Sequence, residues 1–318
     1  MERCHGQAWP CLVRIDRHIR RRTGGLTVSI EPLRYEISGD VVVGDLHLPE
    51  GTVPGPAVIV CGPMTSVRQQ VTGVYAAALA QRGIAALAID PRHFGESGGL
   101  PRQYERADHK IEDFVGGLAA MCHHSRIDPD RMGVAGICLG AGYAAWATVN
   151  NPVVRSLGLV VGYYRDPDAM RAADPEGFDA RVKAGIAARV LYESSGALLT
   201  IPAAATTGDA GMTTADTTDY YGRRAAVPTY RNELAVMSRE YFLPFDVQAA
   251  APRVAVPTAM IHSENGLSPA LARRFHDALG TRKSLTWIKS CGQTDVYDDP
   301  AIVAEAADLL ADHFRATL

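Results

Sequence analysis

Gly136-Ile137-Cys138-Leu139-Gly140 sets a thiol between two glycines, after the apolar run Met132-Gly133-Val134-Ala135 and ahead of a stretch with helical character. A strand that turns sharply into a helix through such a G-x-nucleophile-x-G pattern holds its central side chain clear of the backbone. That side chain then lies beside the amide donors of the helix N-terminus. The chemistry this suits is nucleophilic attack on a carbonyl. An ordinary thiol, with a pKa of about 8.5, is only slightly ionised at pH 7, and the positive end of a helix favours its thiolate.

Carbonyl chemistry also needs donors for the developing oxyanion, and two backbone N–H groups aimed at one oxygen supply them. Leu139, directly after the thiol, is the first candidate. The second lies in Gly62-Pro63-Met64-Thr65-Ser66, where Pro63 has no N–H to give and Met64 or Thr65 remains. An acid is expected after the strand Thr258 to His262, in the turn Ser263-Glu264-Asn265-Gly266, which makes Glu264 the candidate. A base is expected after the strand Ser284 to Ile288. There the loop reads Ser290-Cys291-Gly292-Gln293-Thr294-Asp295-Val296-Tyr297-Asp298, and Gln293 stands in the slot where a histidine is needed. His93 and His262, both at strand ends on the same edge, are the possible substitute bases.

The elements that must position these residues alternate. Val41 to Pro49 alternates and stops at proline, and Pro56 to Cys61 is a short buried run. Helix Val71 to Arg82, strand Ile84 to Ile89, helix Ala107 to His123, strand Met132 to Ala135, helix Leu139 to Val149 and strand Ser156 to Val161 follow. After a break come strand Thr258 to His262, helix Pro269 to Leu279, strand Ser284 to Ile288 and helix Ala301 to Phe314. Such alternation gives an α/β fold with a mostly parallel twisted sheet and helices on both faces. Between Tyr163 and Phe245 the rhythm is lost. That stretch holds an Ala/Thr/Gly tract, Ala203 to Thr217, which reads equally well as a disordered surface loop, and aromatic residues including Tyr220, Tyr221, Tyr230 and Tyr241. An insertion at this place lies over the carboxyl ends of the strands and sets substrate access. Tyr163, Tyr230 and Tyr241 are the expected pocket residues.

The chain of 318 residues, 47% hydrophobic, is long enough for a sizeable core without disulfides. A net charge of -3 argues against a nucleic-acid partner, and no apolar run reaches the roughly 18 residues of a membrane span. Cys4, Cys11, Cys61, Cys122, Cys138 and Cys291 show no metal-ligand spacing and fit a reducing, cytoplasmic setting. No cofactor or metal is called for. The basic run Arg14 to Arg22 is not followed by a secretory segment, so residues 1–24 read as a mobile basic tail. A homodimer is compatible with the sequence, which does not reveal surface patches.

Several segments together carry a resemblance. They are Gly62 to Ser66 with Gln69; Asp90-Pro91-Arg92-His93-Phe94-Gly95-Glu96-Ser97-Gly98-Gly99 followed by Pro101-Arg102; the Cys138 elbow; Pro228-Thr229-Tyr230-Arg231-Asn232 with Ser238; and Asp295-Val296-Tyr297-Asp298. From about Ile30 onward the chain resembles the dienelactone-hydrolase-like branch of the α/β hydrolases. The resemblance implies an α/β-hydrolase core over 25–162 and 246–318, with a cap over 163–245. It also implies cysteine or serine at position 138, an acid near Glu264, and a histidine two residues before Asp295, where this chain has Gln293. Glutamine cannot exchange a proton near neutral pH. The expectation is therefore an enzyme acting on an acyl or carbonyl-bearing small molecule of secondary-metabolite type by cyclisation, elimination or acyl transfer. A cysteine hydrolase using another histidine and a non-catalytic ligand-binding fold are the alternatives.

Overall fold

Buried apolar runs bounded by turn residues become central strands when helices cover both faces of a parallel sheet. In the computed structural model, which describes residues 14–15, 19–23, 26–51 and 53–318, the chain opens with β1 (Arg14–Ile15), β2 (Ile19–Thr23), β3 (Leu26–Ile37), β4 (Asp40–Leu48) and β5 (Gly55–Cys61). Next come α1 (Val71–Ala80), β6 (Ala85–Asp90), α2 (Ala107–Met121), β7 (Ile127–Ile137), α3 (Gly140–Thr148) and β8 (Val154–Val160). An inserted segment carries α4 (Pro167–Ala173), α5 (Pro175–Ser195), β9 (Thr200–Ile201), α6 (Ala215–Asp219), a π-helical turn (Tyr220–Arg224), β10 (Leu234–Ala235) and α7 (Arg239–Phe242). The core resumes with β11 (Thr258–His262), α8 (Pro269–Ala278), β12 (Lys283–Trp287), α9 (Asp295–Asp298) and α10 (Pro300–Thr317).

The main sheet has the order β1-β3-β4-β6-β5-β7-β8-β11-β12, with β2 also paired to β3. From β6 to β12 every neighbouring pair is parallel, whereas β4 runs antiparallel to β6 and β3 antiparallel to β4. This is the expected α/β architecture, with element ends shifted by a few residues. The tail reading of 1–24 needs correction: Ile19–Thr23 pairs along Leu26–Ile30, and Arg14–Ile15 pairs with Leu33 and Arg34. Backbone pairing to the long strand β3 draws both segments into the sheet. The rest of that segment lies outside the described residues.

Helix α10 shows how the sequence builds the layer over the sheet. Asp299 accepts from the N–H groups of Ala301 and Ile302, and Pro300 occupies the first helical position. Val303, Ala306, Ala307, Leu310, Ala311 and Phe314 then recur at helical spacing and are all buried. The inserted segment is ordered in the same way: Asp174 caps α5, and Gly196 closes it in the left-handed conformation at φ 74°. The Ala203–Thr217 tract is not a loose loop. Ala203 and Ala204 are buried, Ala204 bridges to Met212, and the Asn232 amide clamps both the N–H and the C=O of Ala204 at 2.8 and 2.9 Å. Among the described residues no helix is long and apolar enough to cross a membrane.

Candidate functional site

The turn from β7 into α3 is forced by its glycines. A Cβ on Gly136 would lie 2.5 Å from Gly140 O, and one on Gly140 would lie 2.6 Å from Gly62 O and closer still to Cys61 O. Only hydrogens fit between these backbones. Cys138 sits at φ 56°, a left-handed conformation uncommon for a side-chain-bearing residue. Its N–H donates to Val160 O (3.2 Å), and its carbonyl accepts from Tyr163 N–H (2.9 Å). The expected strand-turn-helix therefore exists, with the thiol at its apex.

The environment of the sulfur differs from the expected activation. Cys138 is buried, and burial is the largest influence on its thiol, pushing the pKa up. The neighbouring Tyr297, Leu139 N–H and Gln293 work in the opposite direction. The net direction is upward, so helix-end electrostatics do not leave a thiolate at rest.

Gln293 is buried and fully engaged. Its Oε1 accepts from Leu267 N–H at 2.9 Å, while Nε2 donates to Val161 O at 2.7 Å and to the Tyr297 hydroxyl at 3.1 Å. The two backbone partners fix which end of the amide is oxygen. Tyr297 stands on α9, four residues beyond Gln293, and its hydroxyl accepts from the Gln293 amide. That i, i+4 spacing was visible in the sequence and marks Tyr297 as a site residue missed there.

Of the candidate oxyanion donors, Thr65 is excluded: its N–H, in a residue at φ 60°, donates to Glu105 Oε2 at 3.0 Å. Among the described residues no acceptor is seen for the Met64 N–H, so Met64 stays a candidate donor beside Leu139. Glu105 itself is completely buried. Its Oε1 accepts from the Tyr143 hydroxyl (2.6 Å) and pairs with Lys110 Nζ (2.7 Å), and its N–H donates to Ser238 Oγ of the insertion (2.9 Å). Nothing in the local pattern around Glu105 signals this role, because it depends on three elements meeting.

Glu264 is not part of the site. Its side chain is 60% exposed and pairs with Arg273 on the surface, and the group facing Gln293 Oε1 is a backbone N–H. The turn after β11 points the carboxylate outward, toward α8.

Neither substitute histidine is free to act. His262 Nδ1 accepts from Ser263 N–H (2.9 Å) and Nε2 donates to Gly162 O (3.2 Å), with burial lowering its pKa. His93 Nδ1 donates to Pro101 O (3.0 Å) and Nε2 accepts from His109 (2.8 Å). Burial first, then the neighbouring His109, pushes the His93 imidazole down to about 3. In the unfolded chain it ionises at about 6.5, so its contribution to stability is complete above that pH and is lost as pH falls toward 3. Between pH 7 and 5 the loss from this residue should be about 2 kcal/mol. Urea unfolding of the wild type and of His93→Asn at both pH values checks this. Equal pH sensitivity in the two proteins would reject the assignment.

The inserted segment touches the site from above. Tyr221 reaches Met64 O and Tyr230 reaches Thr65 Oγ1, each at 3.5 Å, and the two rings stack with centroids 5.0 Å apart. Asp216 accepts from Thr294 N–H (2.9 Å) and also bonds the Thr294 hydroxyl, while Arg224 pairs with Asp298. Tyr163 is half-buried beside the elbow backbone, with the buried Arg165 5.7 Å from its ring centre. Tyr241 belongs elsewhere: it packs on Tyr104 and under Arg106, in a satellite cluster with Ala188, Ala235 and Met237. Among the described residues no group of three or more His, Cys, Asp or Glu is arranged to hold a metal ion.

Comparison with known proteins agrees with this fold. Residues 19–162 match the family described as esterase FrsA-like. The YcjY protein of Escherichia coli is 29% identical over 280 residues, 82% of this chain and 89% of its own length. The thiohydrolase aneE of Aspergillus aculeatus is 29% identical over 141 residues, 42% of this chain and 44% of that protein. Among solved structures, DcsB in complex with its substrate analogue superposes with a TM-score of 0.79 at 18% identity, covering 91% of this chain and all of DcsB. The fold is that of the α/β hydrolases, and the match of residues 19–162 to an esterase family supports an enzyme.

Proposed function

We propose that the protein takes an acyl or carbonyl group of a small molecule onto Cys138 and delivers it to a nucleophile carried by the substrate instead of to water. The observation that carries this reading is the engagement of Gln293: an amide with both ends bonded stands where a proton acceptor is needed. General-base assistance contributes about a hundred- to ten-thousandfold, so hydrolysis of an acyl-Cys138 species is slow without it. The thiohydrolase relative supports thioesters as acyl donors. In the first step the sulfur–acyl bond forms, the donor's bond breaks, and the thiol proton leaves with the departing group. In the second, the substrate's own hydroxyl, amine or enol attacks, the new acyl bond forms, and its proton returns to the sulfur. Leu139 and Met64 N–H groups hold the oxyanion in both steps.

Residues 163–245 serve as the lid of this pocket, with Tyr221, Tyr230 and Tyr163 giving it an aromatic, apolar lining suited to secondary-metabolite-like substrates. The shielding of the sulfur from bulk solvent favours an internal nucleophile, whose effective concentration exceeds that of a free one. The test uses a hydroxyacyl thioester in H2-18O. The expected products are the lactone or transferred acyl group, lost in Cys138→Ala. Predominance of acid carrying 18O would overturn the reading. Gln293→His should raise hydrolysis by up to about a hundredfold, the lower end for an imidazole, since no carboxylate stands ready to orient it.

A further inference from the structure

Two peptide planes meet at Met64, and each is held by groups from outside its loop. In a trans peptide the C=O and the N–H that follows point in opposite directions, so holding one aims the other. The Pro63 carbonyl lies 3.5 Å from Lys110 Nζ and also accepts from Ser66 N–H at 3.4 Å, which turns the Met64 N–H of the same plane away from Lys110. In the next plane the Thr65 N–H donates to Glu105 Oε2 at 3.0 Å, and the Met64 carbonyl, on the opposite side, accepts from the Tyr221 hydroxyl at 3.5 Å. Thr65 keeps a left-handed backbone at φ 60°, which a β-branched residue rarely adopts unless its surroundings impose it.

We propose that Glu105 and Lys110 are positioning residues for the oxyanion donor: as one buried ion pair they grip both planes and set the direction in which the Met64 N–H is presented beside the elbow. This inference rests on the reading of Cys138 as the acyl acceptor with Met64 as a donor, and it goes beyond that reading by assigning the pair a task in the reaction. The grip is anchored on the elbow's own helix, because Glu105 Oε1 also accepts from the Tyr143 hydroxyl of α3 at 2.6 Å while pairing with Lys110 at 2.7 Å. Gly140, at the start of that helix, in turn backs directly onto Gly62. A donor fixed in this way needs no reorganisation as charge develops on the oxygen, which is where its catalytic value lies.

Glu105 also acts on the sulfur directly, its charge adding to the rise in the thiol pKa. The two effects are separable by chemistry. Acylation of the sulfur builds charge on a carbonyl oxygen, whereas alkylation by iodoacetamide is a displacement at a methylene carbon and builds none there. Both reactions start from the same thiolate, so the ratio of their rates at Cys138 cancels the sulfur's own electrostatics and reports the donors.

The experiment compares the wild type with two double variants. Lys110→Met with Glu105→Gln keeps an amide oxygen that can accept from Thr65 N–H, and Lys110→Met with Glu105→Leu does not. Both variants carry the same charge, and neither strands a lone buried ion. Cys138 is acylated with the acetyl thioester of N-acetylcysteamine, the sulfur–acyl bond forming as the probe's thiol leaves with the proton, and is alkylated with iodoacetamide in a parallel sample. Both adducts are read at the Cys138 peptide by mass spectrometry, so the other cysteines do not contribute. The acylation-to-alkylation ratio is expected to fall about a hundredfold in the leucine variant and about tenfold in the glutamine variant. Deuterium exchange over residues 62–70 should be faster in the leucine variant than in the glutamine one. A leucine-variant ratio equal to that of the wild type, or equal exchange in the two double variants, overturns the proposal. A general loosening of the fold changes both reactions together and leaves the ratio unmoved. Circular dichroism confirms the fold of each variant, and Glu105→Met replaces the leucine substitution if that protein does not fold. A wild type that takes up no acetyl group overturns the reading of Cys138, and the exchange comparison then decides the grip by itself.

Discussion

Gly140→Ala is expected to cost more than about 3 kcal/mol of stability and to leave little folded protein at 37 °C. The added methyl would meet three backbone atoms, the C and O of Cys61 and the O of Gly62, none of which can rotate away as a side-chain tip can. Overpacking in a core typically costs about 1–3 kcal/mol even when side chains can shift, so a clash with the backbone carbonyls of Cys61 and Gly62 lies at or beyond the upper limit. Gly196→Ala is the matched control. That glycine has φ 74° and open space around its missing Cβ, so only the left-handed backbone is penalised, by about 1–2 kcal/mol. Urea unfolding of both variants should separate them clearly. Equal losses would mean that the β5 and α3 backbones can move apart, and the rigidity attributed to the elbow would be wrong.

Lys110→Met should cost about 3–5 kcal/mol, because it strands a carboxylate that has no access to water. Lys110 and Glu105 have side chains 2% and 0% exposed, and their 2.7 Å pair is reinforced by the Tyr143 hydroxyl and the Thr65 N–H. The ammonium also lies over the rings of Phe94 and Tyr143, at 4.8 and 5.3 Å from their centres. Removing both charges, with Glu105→Gln added, should recover most of the loss, since a neutral amide is far cheaper to bury than a lone anion. By contrast, Arg315→Met breaks a pair whose partners are 52% and 76% exposed and should change little. A Lys110→Met protein within about 1 kcal/mol of wild type would show that water reaches Glu105.

How much of this was legible depended on distance along the chain. The elbow, the alternating strands and helices, and the insertion after β8 are local or periodic features, and the sequence displays them directly. The Gln293 substitution was equally plain. Residues whose role depends on where a turn aims them were not. Glu264 follows the correct strand, yet its turn sends it to Arg273 and the solvent. His93 and His262 sit at the expected sheet edge, but carbonyl groups and His109 occupy their rings. Tyr241 shares the insertion with Tyr230 but faces a different cluster. Thr65 was lost because a carboxylate forty residues away takes its N–H.

The sulfur's electrostatics were the least legible of all. A helix N-terminus favours a thiolate, and that much can be read from a motif; the desolvation that outweighs it needs the insertion and α9 folded over the thiol. Tyr297 could have been found from its spacing to Gln293. Glu105 and Lys110 could not, since charged residues four to five apart on a helix start are far more often solvated than buried.

Asp216 and Arg224 hold Thr294 and Asp298, which flank Gln293 and Tyr297 on either side. The roof and the polar floor are thus fastened together as one piece. With the insertion as the lid we propose, a guest cannot lift the former without tugging on the latter, so a change that eases entry also detunes the atoms waiting inside.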